Sequence, residues 1–361
     1  PQPVTLSGTN AAKYNGDDGL ELYTRGKVTI NSLTASGNVD HGAWISGAPT
    51  SDVTLTGASV FSDNDNTGLY VVTGGLIKAS NLTADRNGYY GAYLNNSVAV
   101  DSPRPVTLSG VNAFRGNTYT NLWIQSYGAV TASNLTASGS TLGSGAYIDN
   151  TSSAAPQKVT LSGTNVFTGN SYHGLYVAAT GAIAVSSLRA TGNGLSLSEG
   201  YGAYLFSSSF AGQPVTLTGS TVASQNHWND GLYVYTRGSI TAANVTATGN
   251  HGRGAWLTTT TFAPDKAIGN VTLTGTNVFT DNRLTNLRVE SQGVVKLSSL
   301  TASRSLAGSG AEILNFGAAA TAPKDVLFSG ASIFDDNWLT GLYVESRGAI
   351  TLPGASASGN G

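Results

Sequence analysis

The sequence predicts an all-β solenoid, a stack of short coils, and three observations carry that prediction. A VTLSG-like segment starts at Val4, Val53, Val106, Val159, Val215, Val271 and Val326, so the chain repeats about every 54 residues. A GLYV-like segment has its Leu at Leu20, Leu69, Leu122, Leu175, Leu232, Leu287 and Leu342. A GAYL-like cousin begins at Gly42, Gly91, Gly145, Gly202, Gly254 and Gly310, which gives thirteen rungs about 27 residues apart. Within each rung apolar and polar residues alternate, as Leu232 and Val234 do around Tyr233, the period of a strand with one buried face.

The rung from Gly231 to Asn250 shows the grammar in order. GLYV is a strand, Gly238 a corner, Ile240 and Val245 the inward residues of two more strands, and Gly249–Asn250 the closing corner. A propeller blade would need four antiparallel strands with Asn-Gly-type hairpins, and such signals are nearly missing. The expected architecture is one solenoid domain over residues 1–361, with about 13–14 coils of roughly 22–32 residues grouped as seven double-coil repeats, the first and last incomplete. Phe61, Phe114, Phe167, Phe279 and Phe334 fall in one column, with Ala12 and Ala223 in its gaps, and read as a stacked core ladder. Asn15, Asn38, Asn64, Asn87, Asn117, Asn170, Asn193, Asn226, Asn250, Asn282, Asn337 and Asn360 form a corner column that Ser140 and Ser305 interrupt. Asn at a corner tolerates left-handed backbone and bonds to the coils on either side.

Composition narrows function. The 361 residues include 46 Gly, no Cys and no Met; 40% are hydrophobic, 11% charged, and the net charge is −2. Eighteen scattered Lys and Arg make no basic face for nucleic acid. No window approaches the ~20 apolar residues of a membrane helix. A disulfide framework, a thiolate zinc site and a Cys nucleophile are excluded. The start at Pro1 reads as a processed product or a piece of a longer chain. Richness in Gly, Ser, Thr and Asn suits an exported protein, extracellular or on a cell surface.

The rung GLYV…VTLSG…NVF..N with its Asn corner resembles right-handed parallel β-helix proteins. That fold is shared by pectate-lyase-like enzymes, phage tailspikes and repeat arrays of large bacterial secreted and surface proteins. The resemblance covers essentially the whole chain and supplies the handedness.

The outward residue of each GLYV or GAYL rung is the richest column. It holds Trp44, Tyr70, Tyr93, Trp123, Tyr147, Tyr176, Tyr204, Tyr233, Trp256 and Tyr343, with Glu21, Arg288 and Glu312 at the remaining rungs. Such a stripe either docks polysaccharide or another surface, or serves as cross-strand packing worth ~0.2–1 kcal/mol per pair. Pro-containing insertions follow the GAYL rungs at 46–52, 95–105, 149–158, 206–214, 258–270 and 315–325, with apolar tips Val98, Phe210, Phe262 and Phe316, and should align as a fin. The Thr column from Thr5 to Thr272 is too broken, by Lys78, Ala184, Lys296 and Leu327, for an ice-binding array.

Catalytic groups are sparse. The best set is Arg288, Glu290, Glu312 and Glu345 on successive rungs, with Arg347 beside them: either a carboxylate pair for polysaccharide cleavage or a solvated ion-pair ladder. Asp17–Asp18, Asp63–Asp65 and Asp335–Asp336 belong at corners as turn formers, leaving calcium as the one cofactor open. His227 and His251 lack a third metal ligand. No metal site is expected.

The sequence therefore predicts a structural protein, a fibre, stalk or adhesin segment that associates with itself laterally or end to end through uncapped coils. The alternative is a polysaccharide-binding or polysaccharide-degrading β-helix protein, a lyase or glycoside hydrolase.

Overall fold

One coil consists of the strands Val53–Thr56, Ser59–Ser62 and Leu69–Val72, each with alternate residues buried. Each strand pairs in parallel with its counterparts in the neighbouring coils, Val53 with Val28 and Ile77, and Leu69 with Ala43 and Ala92. The structure, a computed structural model, describes residues 1–98, 103–196, 200–208, 212–259, 269–315 and 323–361. It forms two compact units, Pro1–Thr180 and Gly181–Gly361. Their third strands run from Leu20–Thr24 to Leu175–Ala179 in one unit and from Ala203–Ser207 to Leu342–Ser346 in the other. In the second unit Ile183–Thr191 and Val215–Ser224 each carry the first and second strands of a coil as one continuous strand. No helix of the described residues is long and apolar enough to cross a membrane.

The two-coil period has a packing cause. Phe rings do not stack on one another as the sequence suggested. Ala35 registers with Phe61, Ala84 and Ala137 flank Phe114, Ala137 precedes Phe167, and Ala247 and Ala302 flank Phe279. Leu55, Ala79, Leu108, Ala132 and Leu161 alternate in the same way along the first strand. A large ring in one coil is accommodated by a small residue in the next, because an interior at crystal density has no spare volume.

The corners alternate too. Between the first and second strands the backbone is left-handed, with Gly110, Gly163 and Gly275 in one set of coils and Asn81, Asn134 and Asn244 in the other. Asn81 Oδ1 accepts from Val111 N at 3.1 Å, Asn134 Oδ1 from Thr164 N at 3.2 Å and Asn244 Oδ1 from Thr276 N at 3.2 Å. A Cβ on Gly110 would collide with that Asn81 oxygen, so the side chain of one coil demands the glycine of the next.

At the second corner Asn side chains form a buried hydrogen-bonded ladder. Asn38 N and Nδ2 donate to Asn64 Oδ1 at 3.2 and 2.8 Å, and Asn64 N and Nδ2 donate to Asn87 Oδ1 at 3.2 and 2.9 Å. The second amide hydrogen goes backwards, as from Asn64 Nδ2 to Ala35 O at 3.2 Å. The serines that break the column do not break the ladder. Asn117 Nδ2 donates to Asn121 Oδ1 at 2.6 Å, and Asn121 Nδ2 reaches past the Ser140 coil to Asn170 Oδ1 at 3.0 Å. Asn282, Asn286 and Asn337 bridge Ser305 in the same way, at 2.7 and 3.1 Å. Asn121 and Asn286 stand where other rungs have the Gly of GLYV, so each serine is matched by an extra Asn one coil earlier.

Of the predicted fin, 46–52 and 149–158 lie wholly within the described residues. Asn150 Nδ2 ties its loop by donating to Gln157 O at 3.0 Å, and Asn96 and Asn315 make the same bond to Arg104 O and Lys324 O at 2.6 and 2.8 Å. Val98 is 49% exposed; Phe210, Phe262 and Phe316 lie outside the described residues.

Candidate binding face

The third strands set the predicted column in register. Glu21, Trp44, Tyr70, Tyr93, Trp123, Tyr147 and Tyr176 follow one another in the first unit. Tyr204, Tyr233, Trp256, Arg288, Glu312 and Tyr343 do so in the second. Strand spacing of ~4.8 Å is close to ring-stacking distance, so the rings turn towards one another. Tyr70 and Tyr93 lie 4.8 Å apart at 12°, and Tyr147 and Tyr176 lie 4.5 Å apart at 1°. Trp44 and Trp123 tilt against Tyr70 and Tyr147 at 5.0 and 4.5 Å, and Trp256 stands edge-on to Tyr233 at 5.0 Å. In the two parallel pairs each ring covers a face of the other. Tyr343 has no ring beside it among the described residues; its hydroxyl donates to Glu345 at 3.3 Å.

Burial raises the phenol pKa of Tyr70, Tyr147 and Tyr233, and pushes Tyr176 up to about 12. His173, whose ring lies 5.5 Å from that of Tyr176, is driven the other way, to about 4, because burial disfavours its cation. The unfolded chain binds this proton near pH 6.5 and the folded chain only near 4, so stability should fall as pH drops through that window, by at most roughly 3–4 kcal/mol. Urea unfolding of the native chain and of His173→Phe should diverge below pH ~6.5, the variant losing less; parallel curves would refute this.

The predicted acid–base set is only partly assembled. Arg288 Nε donates to Glu290 Oε1 at 2.7 Å, its Nη1 donates to Glu312 Oε2 at 3.0 Å, and Thr285 Oγ1 donates to Glu312 Oε1 at 3.1 Å. The guanidinium therefore joins the two carboxylates, as the ion-pair reading requires. Glu345 registers with Leu314 and takes its bond from Tyr343. Two guanidinium groups lie over the Trp256 ring, Arg253 at 4.6 Å from its centre and Arg288 at 5.8 Å.

Several corner carboxylates are engaged by neighbouring coils. Asp63 holds Arg86 through two bonds of 2.7 and 2.8 Å, and Asp335 Oδ1 accepts from Ser358 N at 2.9 Å. Asp18, Asp40 and His41 bring three ligand-type atoms within 4.8 Å of one another, with His41 Nδ1 at 3.0 and 2.9 Å from the two carboxylates. Asp18 also accepts His41 N at 2.8 Å, just as Asp230 accepts Arg253 N at 2.7 Å, so His41 stands where the second unit has an ion-paired arginine. His251 Nε2 meets Arg283 Nη1 at 2.7 Å.

One surface feature escaped the sequence reading. One or two residues beyond several positions of the ladder column, serines included, large apolar side chains stand in solvent. Tyr89, Tyr119 and Leu142 are 38, 39 and 55% exposed in the first unit; Trp228, Leu284, Leu306 and Trp338 are 39, 41, 63 and 66% exposed in the second. Their chemical variety, and an offset that shifts between one and two residues from the ladder position, hid the column.

A family model described as a right handed beta helix region matches residues 68–246, about half of the chain. The chain is a right-handed parallel β-helix protein. No curated protein and no solved structure matches it. This β-helix turns through about thirteen third-strand rungs, seven in one unit and six in the other.

Proposed function

We propose that this β-helix is a structural protein, a fibre, stalk or adhesin segment at a cell surface or outside the cell. The observation that supports it is how the face spends its side chains. Rings stack on rings, Arg288 links Glu290 to Glu312, and Asn bonds to Asn, so chemistry that could serve a substrate serves the adjacent coil instead. Ile350, which pairs with the buried Val326, and Leu352 two residues on are 49 and 38% exposed, an apolar edge suited to another coil of this kind, in the same chain or a second copy. The polysaccharide reading has less behind it, because a sugar stacks on a free ring face and the parallel tyrosines cover theirs.

Sedimentation and electron microscopy of the 361-residue chain should show concentration-dependent association, lost in Ile350→Lys/Leu352→Lys without loss of the β spectrum. Chains that stay single at every concentration would sink self-association. Cleavage of an acidic or neutral polysaccharide, abolished by Glu312→Gln, would replace the structural reading with an enzymatic one. Glycan retention weakened by Tyr176→Ala with Tyr233→Ala would point to binding without catalysis.

A further inference from the structure

We propose that Tyr89 and Tyr119 are a coupling site at which one-electron oxidation joins two phenols into a dityrosine, stapling one coil to the next. The two residues occupy the same corner position of consecutive coils, where Tyr119 N donates to Tyr89 O at 2.9 Å. Their ring centroids are 4.4 Å apart and the planes meet at 44°. Both side chains are more than a third exposed, at 38 and 39%, so an oxidant in solvent reaches them. In every other close tyrosine pair among the described residues, Tyr204 with Tyr233 included, at least one ring is less exposed. Tyr70 with Tyr93 and Tyr147 with Tyr176 are half-buried, strand-bound and stacked nearly face to face, a geometry that holds the ortho carbons of the two rings in separate parallel planes. Tyr90, 4.3 Å from Tyr89, is edge-on to it and more buried, and burial raises its pKa strongly.

The chemistry closes with a peroxide as oxidant, used by a haem peroxidase. Each phenol gives up one electron and one proton to become a phenoxyl radical. The two radicals join through the carbons ortho to oxygen, and the hydrogens on those carbons shift to the oxygens to restore both aromatic rings. The pair has then lost two protons and two electrons, which reduce one hydrogen peroxide to two waters. The chain contains no Cys, so a disulfide cannot serve as the staple between coils. A tyrosine link closing the segment between residues 89 and 119 restricts the unfolded chain in the way a disulfide does. This site stands apart from the structural reading above, since coupling within one chain requires no assembly.

The test is peroxidase and hydrogen peroxide applied to the dilute, folded chain. The expected result is the blue fluorescence of a biphenol in the monomer, a mass lower by two hydrogens, and one linked peptide pair containing residues 89 and 119. Tyr89→Phe and Tyr119→Phe keep the rings but should each lose nearly all of the signal. Tyr14→Phe, which alters a phenol 83% exposed and without a ring neighbour among the described residues, should leave it unchanged. Oxidised chain without the 89–119 link, or with links at Tyr147–Tyr176 or only between chains, overturns the proposal.

Discussion

Replacing Asn64 by Leu should lower stability by roughly 4 kcal/mol or more. Leu matches the volume, so the cost is polar. Asn64 Oδ1 accepts from Asn38 N and Asn38 Nδ2, and Asn64 Nδ2 donates to Ala35 O and Asn87 Oδ1. All four partners lie between coils where Asn38, Asn64 and Asn87 are each 1% exposed. Water cannot replace the lost bonds, and each stranded donor costs about 1–3 kcal/mol. The same change at Asn15, which is exposed and donates to Asn38 Oδ1 at 3.1 and 2.8 Å, should cost about 1 kcal/mol. Urea unfolding of the two variants decides it. Equal losses at Asn15 and Asn64 would mean that the ladder contributes by local turn propensity rather than by buried bonding between coils.

That ladder also shows how far the sequence could be read. Period-two alternation and the fixed spacing of GLYV and VTLSG were enough for coils, corners and the register of the aromatic column, because a solenoid places each residue over its repeat partner. The serine gaps were legible, but their repair by Asn121 and Asn286 was not. Those residues sit in a different motif, and only the bond across a whole coil connects them to Asn170 and Asn337. The Phe column was seen and misread for a related reason. Column membership says which residues share a direction, while volume compensation by Ala84 or Ala137 depends on the intervening coil. At the candidate face, spacing put Arg288, Glu290, Glu312 and Glu345 together. Side-chain reach decided that Arg288 binds Glu290 and Glu312, whereas Tyr343 engages Glu345. Ring orientation, which separates a sugar platform from an internal stack, leaves no trace in residue identity.

Glycine makes the same distinction quantitative. Gly145 opens the rung GAYI, and its backbone is ordinary for an L-residue, so propensity alone would allow Ala. Space does not: a Cβ there would sit 2.5 Å from Gly174 O, 2.7 Å from Asn170 Nδ2 and 2.9 Å from Ala137 O. Two of these are backbone carbonyls fixed by the stacking of adjacent coils, and the third is a ladder amide. Relief therefore requires moving a coil rather than a side chain. Gly145→Ala should cost roughly 3–5 kcal/mol, beyond the usual ~1–3 kcal/mol for an overpacked core. Gly169 is the opposite case. Its φ is +63°, yet nothing lies within 4 Å of a built Cβ, so Gly169→Ala should cost only the left-handed backbone, about 1 kcal/mol. Side by side, thermal unfolding should put Gly145→Ala far below Gly169→Ala. The reverse order would mean that the opening glycine of each rung is retained for backbone freedom, and that coils can separate enough to admit a methyl group.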